Sequence, residues 1–240
     1  MKKVKDDFTT RSKLADIGRF YVNDFVEKVA ASLPPGTSLL DAGAGECVYK
    51  KYFAHCNYKS VDLGIGEPNW NYSRLDYVAP LHELPIEDES FDAILCTQVL
   101  EHLQKPIESV KEMYRVLRSG GHLFMTAPMA HNEHQIPYDF FRYTSFGLKH
   151  ICTEAGFREI RVTPMGGMFL RWAYEFPRLL IIFPETGMKD GKINLAGILI
   201  YPMKVALLII IRFFQMIFIV LDRFDKIKND PFGWKLIARK

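Results

Sequence analysis

Two carboxylates and two glycines in the first third of this 240-residue chain are spaced to hold a small charged ligand. Leu39-Leu40-Asp41-Ala42-Gly43-Ala44-Gly45-Glu46 reads as a short apolar strand running into a D-x-G-x-G turn, with a helix expected over 46–54. Glycines at 43 and 45 let the backbone turn sharply and come close to a ligand. Asp62 ends a second strand, where its carboxylate can accept hydrogen bonds from both hydroxyls of a ribose. The dinucleotide fingerprint wants a third small residue where Val48 stands, and Asp41 would repel a diphosphate. An acid there suits a ligand carrying an ammonium and a sulfonium. The pattern favours S-adenosylmethionine over NAD.

A second cluster lies between Pro128 and Thr144, where His131, Glu133, His134, Asp139 and Arg142 alternate with Tyr138, Phe140, Phe141 and Tyr143. A loop of this length at the C-terminal edge of a strand sits over the nucleotide in a doubly wound sheet. Methyl transfer from a sulfonium is an in-line displacement that needs no metal, so no metal site is expected; holding the reactants close does most of the work. A base helps when the acceptor is a hydroxyl, and His134 is the first choice, His131 the second. Asp139 and Arg142, three apart, can belong to the catalytic set or form an ion pair that shapes the loop. Glu101-His102 can reach the same site or cap the helix that follows.

The elements that must position these residues alternate. A helix over 15–32 ends at Pro34-Pro35-Gly36. Strands are expected at Ser38–Asp41, Lys59–Asp62, around Tyr72–Val78, at Phe91–Thr97, His122–Ala127 and Phe157–Thr163. Helices follow at 106–118, closed by Ser119-Gly120-Gly121, and at Thr144–Ala155. This order implies an α/β fold with a parallel sheet and right-handed crossovers. After residue 167 the pattern changes to two apolar helical stretches, 168–183 and 193–224, before a last strand at Gly233–Arg239. The expected organisation is an N-terminal helical segment (1–35), a cofactor-binding domain (36–167), an apolar helical insertion (168–230) and the final strand (231–240).

The motifs LLDAGAG (39–45), Asp62, LPIEDESFDAILCTQVLEHL (84–103) and RVLRSGG (115–121) together resemble the class I S-adenosylmethionine-dependent methyltransferases, of the bacterial small-molecule, type 11-like group. The resemblance covers about residues 36–165 and the final strand. It implies a Rossmann-like, doubly wound, seven-stranded sheet whose terminal strand is antiparallel, with the amphipathic insertion before that strand. It also implies that Asp41, Gly43 and Gly45 line the methionine end, Asp62 the ribose, and Thr97 and Gln98 the methionine and reactive methyl. The family's adenine-binding Asp falls at Pro80, so adenine contact is expected from the backbone of Leu81. His134, Pro137, Asp139, Phe140, Arg142, Tyr143 and Thr144 match a loop pattern similar to the family's.

Charge is divided unevenly. Residues 1–160 hold 18 Lys and Arg against 22 Asp and Glu, and residues 161–240 hold 13 against 6. Basic residues among long aliphatic runs fit phospholipid better than nucleic acid, which is not expected as a partner. Lys204, Arg212, Gln215, Asp222 and Lys226 fall in one helical sector, as do Arg171, Glu175 and Arg178, and these stripes are expected to face anionic headgroups. The start, MKKVKDDFTTRSKL, has no apolar run of a signal peptide, and the four cysteines have no CxxC spacing. The expectation is a cytoplasmic enzyme, peripheral on the inner membrane face, methylating an oxygen of a small hydrophobic or lipid-linked acceptor. The alternatives are a soluble dimeric small-molecule methyltransferase and a non-catalytic membrane adaptor that keeps the cofactor fold. The oligomeric state is left open.

Overall fold

The computed structural model describes residues 16–66, 69–183, 188–189, 192–193 and 195–240. Helix α1 (Ile17–Ser32) is followed by strands β1 (Ser38–Ala42), β2 (Asn57–Asp62), β3 (Tyr77–Val78) and β4 (Phe91–Thr97). Then come α2 (Pro106–Val116), β5 (Leu117–Pro128), α3 (Ser145–Glu154) and β6 (Arg158–Pro164). Helix α4 (Met168–Glu175) precedes a two-stranded pair, β7 (Met188–Lys189) and β8 (Lys192–Ile193), the long helix α5 (Leu195–Leu221), and β9 (Gly233–Arg239). Two compact units result: one built of 21–165 with 233–240, the other of 166–232 with the start of α1.

In the first unit the sheet order is β3-β2-β1-β4-β5-β9-β6. Strands β1 to β5 pair in parallel, while β9 runs antiparallel to both β5 and β6. The chain moves outward from β1 to β2 and β3, then returns to place β4 on the other side of β1. Ligands bind at such a reversal, in the crevice beyond the carboxyl ends of β1 and β4. Leu39, Leu40, Ile94, Leu95, Leu123 and Met125 are fully buried, as strands covered on both faces require.

Several sequence expectations shift. Residues 46–54 do not form an α-helix; a turn leads into a short 3-10 segment, Lys50–Phe53. The third strand shrinks to two residues, because 72–76 turn so that Asp76 can hold Ser60 and Lys59 of β2. Ser119-Gly120-Gly121, expected to end a helix, lies inside β5. There two steps along β4 oppose five along β5, a bulge that Gly120 accommodates with φ +81°. Arg115 explains why RVLRSGG and LPIEDES occur together: it donates to the carbonyls of Leu84 and Ile86 and pairs with Asp88 and Glu112.

The second unit reverses the usual arrangement of an amphipathic pair. Gln215 of α5 is buried and donates to the carbonyl of Ala173 in α4. Asp222, also buried, accepts from the amides of Gly167 and Leu170, and Asp225 from that of Met168. Those amides belong to the first turn of α4, which has no intrahelical acceptors of its own. Arg171 pairs with Asp230, Arg178 with Glu175, and Arg212 with Gln215. Of the polar stripes expected to face headgroups, Arg171, Glu175, Arg178, Arg212, Gln215 and Asp222 are engaged within the unit, while Lys226 is exposed. The apolar face of α5 points outward: over Ile198–Leu221, 24 residues that include an 18-residue window of mean hydropathy 2.4, only Ile211 and Gln215 are buried.

Candidate active site

The turn after β1 and the turn after β4 meet at the crevice. Gly43, at φ +81°, donates its amide to the Val61 carbonyl, and a Cβ there would lie 2.3 Å from the Val99 side chain. Gly45 (φ +52°) and Gly64 (φ +74°) donate their amides to the two oxygens of Asp62, at 2.9 and 2.8 Å. An ionised carboxylate offers about four acceptor sites, so two stay available for a diol. The ring of Trp70 closes over Gly45, 3.1 Å from where a Cβ would be, with Tyr72 beside it. Neither aromatic was expected at the site: Tyr72 was read as the start of the third strand and Trp70 lies just before it.

Asp41 is 1% exposed and accepts from the Tyr58 hydroxyl at 2.6 Å. Burial pushes its carboxyl up to about 7, against the Tyr58 hydrogen bond, and the nearby charge of Asp62 adds to the rise. It is the fourth residue of β1, buried next to the turn that Gly43 begins. Gln98 adopts φ +54° and ties back to β5, its amide on the Thr126 carbonyl and its side chain on the Thr126 hydroxyl, both at 3.0 Å. Thr97, one residue earlier, ends β4 opposite Thr126. Leu81 is buried in the core. Asp76, spent on Lys59 and Ser60, is no adenine reader.

The loop after β5 is fastened over the end of β4. The amides of Phe140 and Phe141 donate to the Glu101 carbonyl, and the Tyr143 hydroxyl to the carbonyl of Leu100. Trp234 of β9 holds the other end through the Tyr143 carbonyl. Inside the loop, Arg142 grips Asp139 with two N–H groups at 2.6 and 2.8 Å and also donates to the carbonyls of His131 and Asn132. This grip holds the Asp139 carboxyl well below the ordinary carboxylate range. Asp139 in turn takes the His134 amide at 2.9 Å and faces its Nδ1 at 3.1 Å. Burial, with His131 and His102 beside it, lowers the His134 pKa and keeps the ring neutral near pH 7. The loop thus brings His131, His134, Asp139 and Arg142 together.

Residues 40–125 match the family model described as a methyltransferase domain. A Mycolicibacterium smegmatis protein described as a probable S-adenosylmethionine-dependent methyltransferase is 32% identical over 99 residues, 39% of this chain and 38% of its own. A ubiquinone biosynthesis O-methyltransferase of Hahella chejuensis is 31% identical over 114 residues, 43% of this chain and 47% of its own. The chain spans less than half the length of these curated relatives. The 1,6-didemethyltoxoflavin-N1-methyltransferase of Burkholderia thailandensis, solved with its substrate and S-adenosylhomocysteine, superposes with a TM-score of 0.53 at 15% identity, over 92% of this chain and 78% of that one. Residues 40–125 of the sheet unit thus carry a methyltransferase domain, on a fold shared with S-adenosylmethionine-dependent methyltransferases.

The cofactor of this methyltransferase domain is S-adenosylmethionine, and the crevice fits it. A buried acid under the β1 turn favours a cationic end, and Asp62 presents acceptors for a ribose. The two positive-φ glycines flanking Asp62 bring backbone, not side chains, to that edge. The domain also holds residues that sequence reasoning ranked low. Glu101 is buried and His102 half-buried at the turn after β4, and the His102 ring lies edge-on to that of His134 with centroids 4.6 Å apart. Their adjacency in the sequence was visible; their convergence on a loop more than 30 residues away was not.

Proposed function

We propose that the protein transfers a methyl group from S-adenosylmethionine to an oxygen of a small hydrophobic or lipid-linked acceptor, at the cytoplasmic face of a membrane. The observation that carries the chemistry is the fastening of the histidine loop onto the Glu101 carbonyl. It sets His131 and His134 over the same strand end that supplies Thr97 and Gln98. When bound, S-adenosylmethionine supplies an electrophilic methyl on a sulfonium. Asp62 and the backbone of Gly45 and Leu81 hold the nucleoside end, and Gln98 shapes the methionine end. Arg142 fixes Asp139, Asp139 fixes the His134 ring, and the outer nitrogen of that ring takes the acceptor's proton as the new bond forms. The name of the Hahella relative, which specifies an O-methyltransferase of ubiquinone biosynthesis, supports an oxygen acceptor of low polarity.

The membrane part of the proposal rests on α5. Strand β9 joins the same sheet as β1, so any bilayer crossings between β6 and β9 must be even in number. Among the described residues one helix is long and apolar enough to cross. Zero crossings satisfies both facts, with α5 lying in the interface and its outward apolar face in the acyl boundary. Because Arg171, Arg178 and Arg212 are engaged within the unit, apolar burial dominates the binding and salt weakens it little.

Methyl-labelled S-adenosylmethionine, incubated with the full chain and a fractionated membrane-lipid extract, tests the reading. Formation of S-adenosylhomocysteine with a labelled lipid-soluble product supports it. Cofactor binding without turnover on any fraction would make the protein an adaptor. A detergent-free soluble dimer that ignores vesicles would assign the α5 face to a second copy.

A further inference from the structure

The turn after β4 contains a group to which methyl transfer gives no task. Glu101 is 1% exposed, and neither of its carboxylate oxygens has a hydrogen-bond partner. A carboxyl stripped of water and given no donor is costly, and native structures keep few of them. His102 repeats the anomaly. Its Nε2 is buried without a partner, 3.9 Å from Glu101 Oε1, while its Nδ1 is engaged by the Tyr138 carbonyl. A carbonyl only accepts, so Nδ1 carries the hydrogen and Nε2 presents a lone pair. His134 is arranged alike: Asp139 takes Nδ1, leaving Nε2 as the lone-pair nitrogen.

We propose that Glu101, His102 and His134 form a binding site for a divalent cation of the transition-metal class, such as Zn²⁺ or Mn²⁺. One ligand atom from each residue lies within 4.8 Å of the others. Ligands about 2.1 Å from one ion sit roughly 3–3.5 Å apart, so the side chains need only close by about an ångström. Two imidazoles and one carboxylate suit this class better than Mg²⁺ or Ca²⁺, which take oxygen. The Tyr138 carbonyl and the Arg142-held Asp139 supply the outer hydrogen bonds that fix ring orientation in metal sites.

Metal binding goes beyond the proposed methyl transfer and does not depend on it; its use does. A three-ligand site leaves positions for water or an acceptor hydroxyl, whose pKa the cation would lower. In that loaded form His134 is a ligand rather than the base. The released proton passes to His131, whose ring centroid is 4.5 Å from that of His134, or to solvent.

The test uses the full chain, stripped with EDTA and dialysed against Zn²⁺ or Mn²⁺, with elemental analysis and calorimetry. One ion per chain is expected. Glu101→Gln and His134→Gln should each weaken binding at least tenfold, and His150→Gln on exposed α3 should not. Because Glu101→Gln removes an unpaired buried acid, it should fold, and its melting temperature should no longer rise with the ion as that of the parent does. No ion bound, or binding untouched by both substitutions, overturns the proposal. Stoichiometric binding without any methyl product would leave it standing and remove the methyl-transfer reading instead.

Discussion

In the sheet unit Leu39, Ile94 and Leu123 are sealed inside, and the buried acids lie at the crevice, Asp41 near the C-terminal end of β1 and Glu101 just past β4. In the helical unit the placement is inverted: Gln215 and Asp222 are inside, and Ile209 and Phe213 are 65% and 56% exposed. Among the buried polar groups of the first unit, Glu101 has no partner on either carboxylate oxygen and its carboxyl is pushed up to about 8, while Asp41, bonded by Tyr58, is pushed up to about 7. Those in the second are satisfied by backbone amides and carbonyls at 2.7–3.0 Å. The difference separates a region built to receive a ligand from one whose polar groups serve its own cohesion and whose apolar surface is left for a partner phase.

The comparison breaks most simply at Gly43. Gly43→Val should abolish S-adenosylmethionine binding in calorimetry, because the added side chain meets Val99 at positive φ and forces the β1 and β4 turns apart. Unchanged affinity would show that the ligand lies elsewhere. Next, His134→Gln should cut turnover by about 10²–10⁴ while leaving cofactor affinity intact. Near-normal turnover would reduce the loop to a positioning role. The loss is expected whether His134 takes the proton or holds a cation, and metal stoichiometry separates the two.

The helical unit should be separable from the chemistry. The double change Ile209→Glu with Phe213→Glu should reduce vesicle partitioning by on the order of a hundredfold, since each side chain is worth roughly 1.5–3 kcal/mol when buried. Cofactor affinity should not move, and if it falls in parallel, the division into two tasks is wrong. Asp62→Ala should weaken cofactor binding by roughly 1.5–3 kcal/mol, the scale of hydrogen bonds to a charged group. The smallest effect sharpens the contrast in unmet demand. A cation bound near Asp41 favours its ionised form and draws its pKa down from about 7. Affinity should then rise about tenfold per unit of that pKa shift as pH increases from 5 to 7, with proton release on binding. Asp41→Asn should flatten the profile.

Much of this was legible from residue order. Phe91–Thr97 and Gly233–Arg239 form strands with the bounds read from the sequence, because a continuous apolar run between turn signals allows little else. The shortened third strand was not legible: local pattern favoured it, and the Asp76 bond to Ser60 overrode the pattern. In the site, the D-x-G-x-G turn announced itself through spacing. Glu101 did not, since a lone Glu-His pair looks like a helix cap until the 128–144 loop is folded onto it. The helical stripes were legible as sectors; that Gln215 and Asp222 bond within the unit was not, because periodicity identifies a face and not its neighbour.

Strand β9 has a consequence in time. It lies between β5 and β6 and pairs with both. During synthesis β6 leaves the ribosome some 70 residues ahead of it and β5 earlier still, so both wait with open edges while α5 emerges. The most hydrophobic stretch of the chain is therefore free to find its surroundings before the sheet can close. A nascent chain halted before residue 233 should have α5 complete and the sheet unfinished, so that on the proposed membrane reading surface engagement precedes activity in the protein's own maturation.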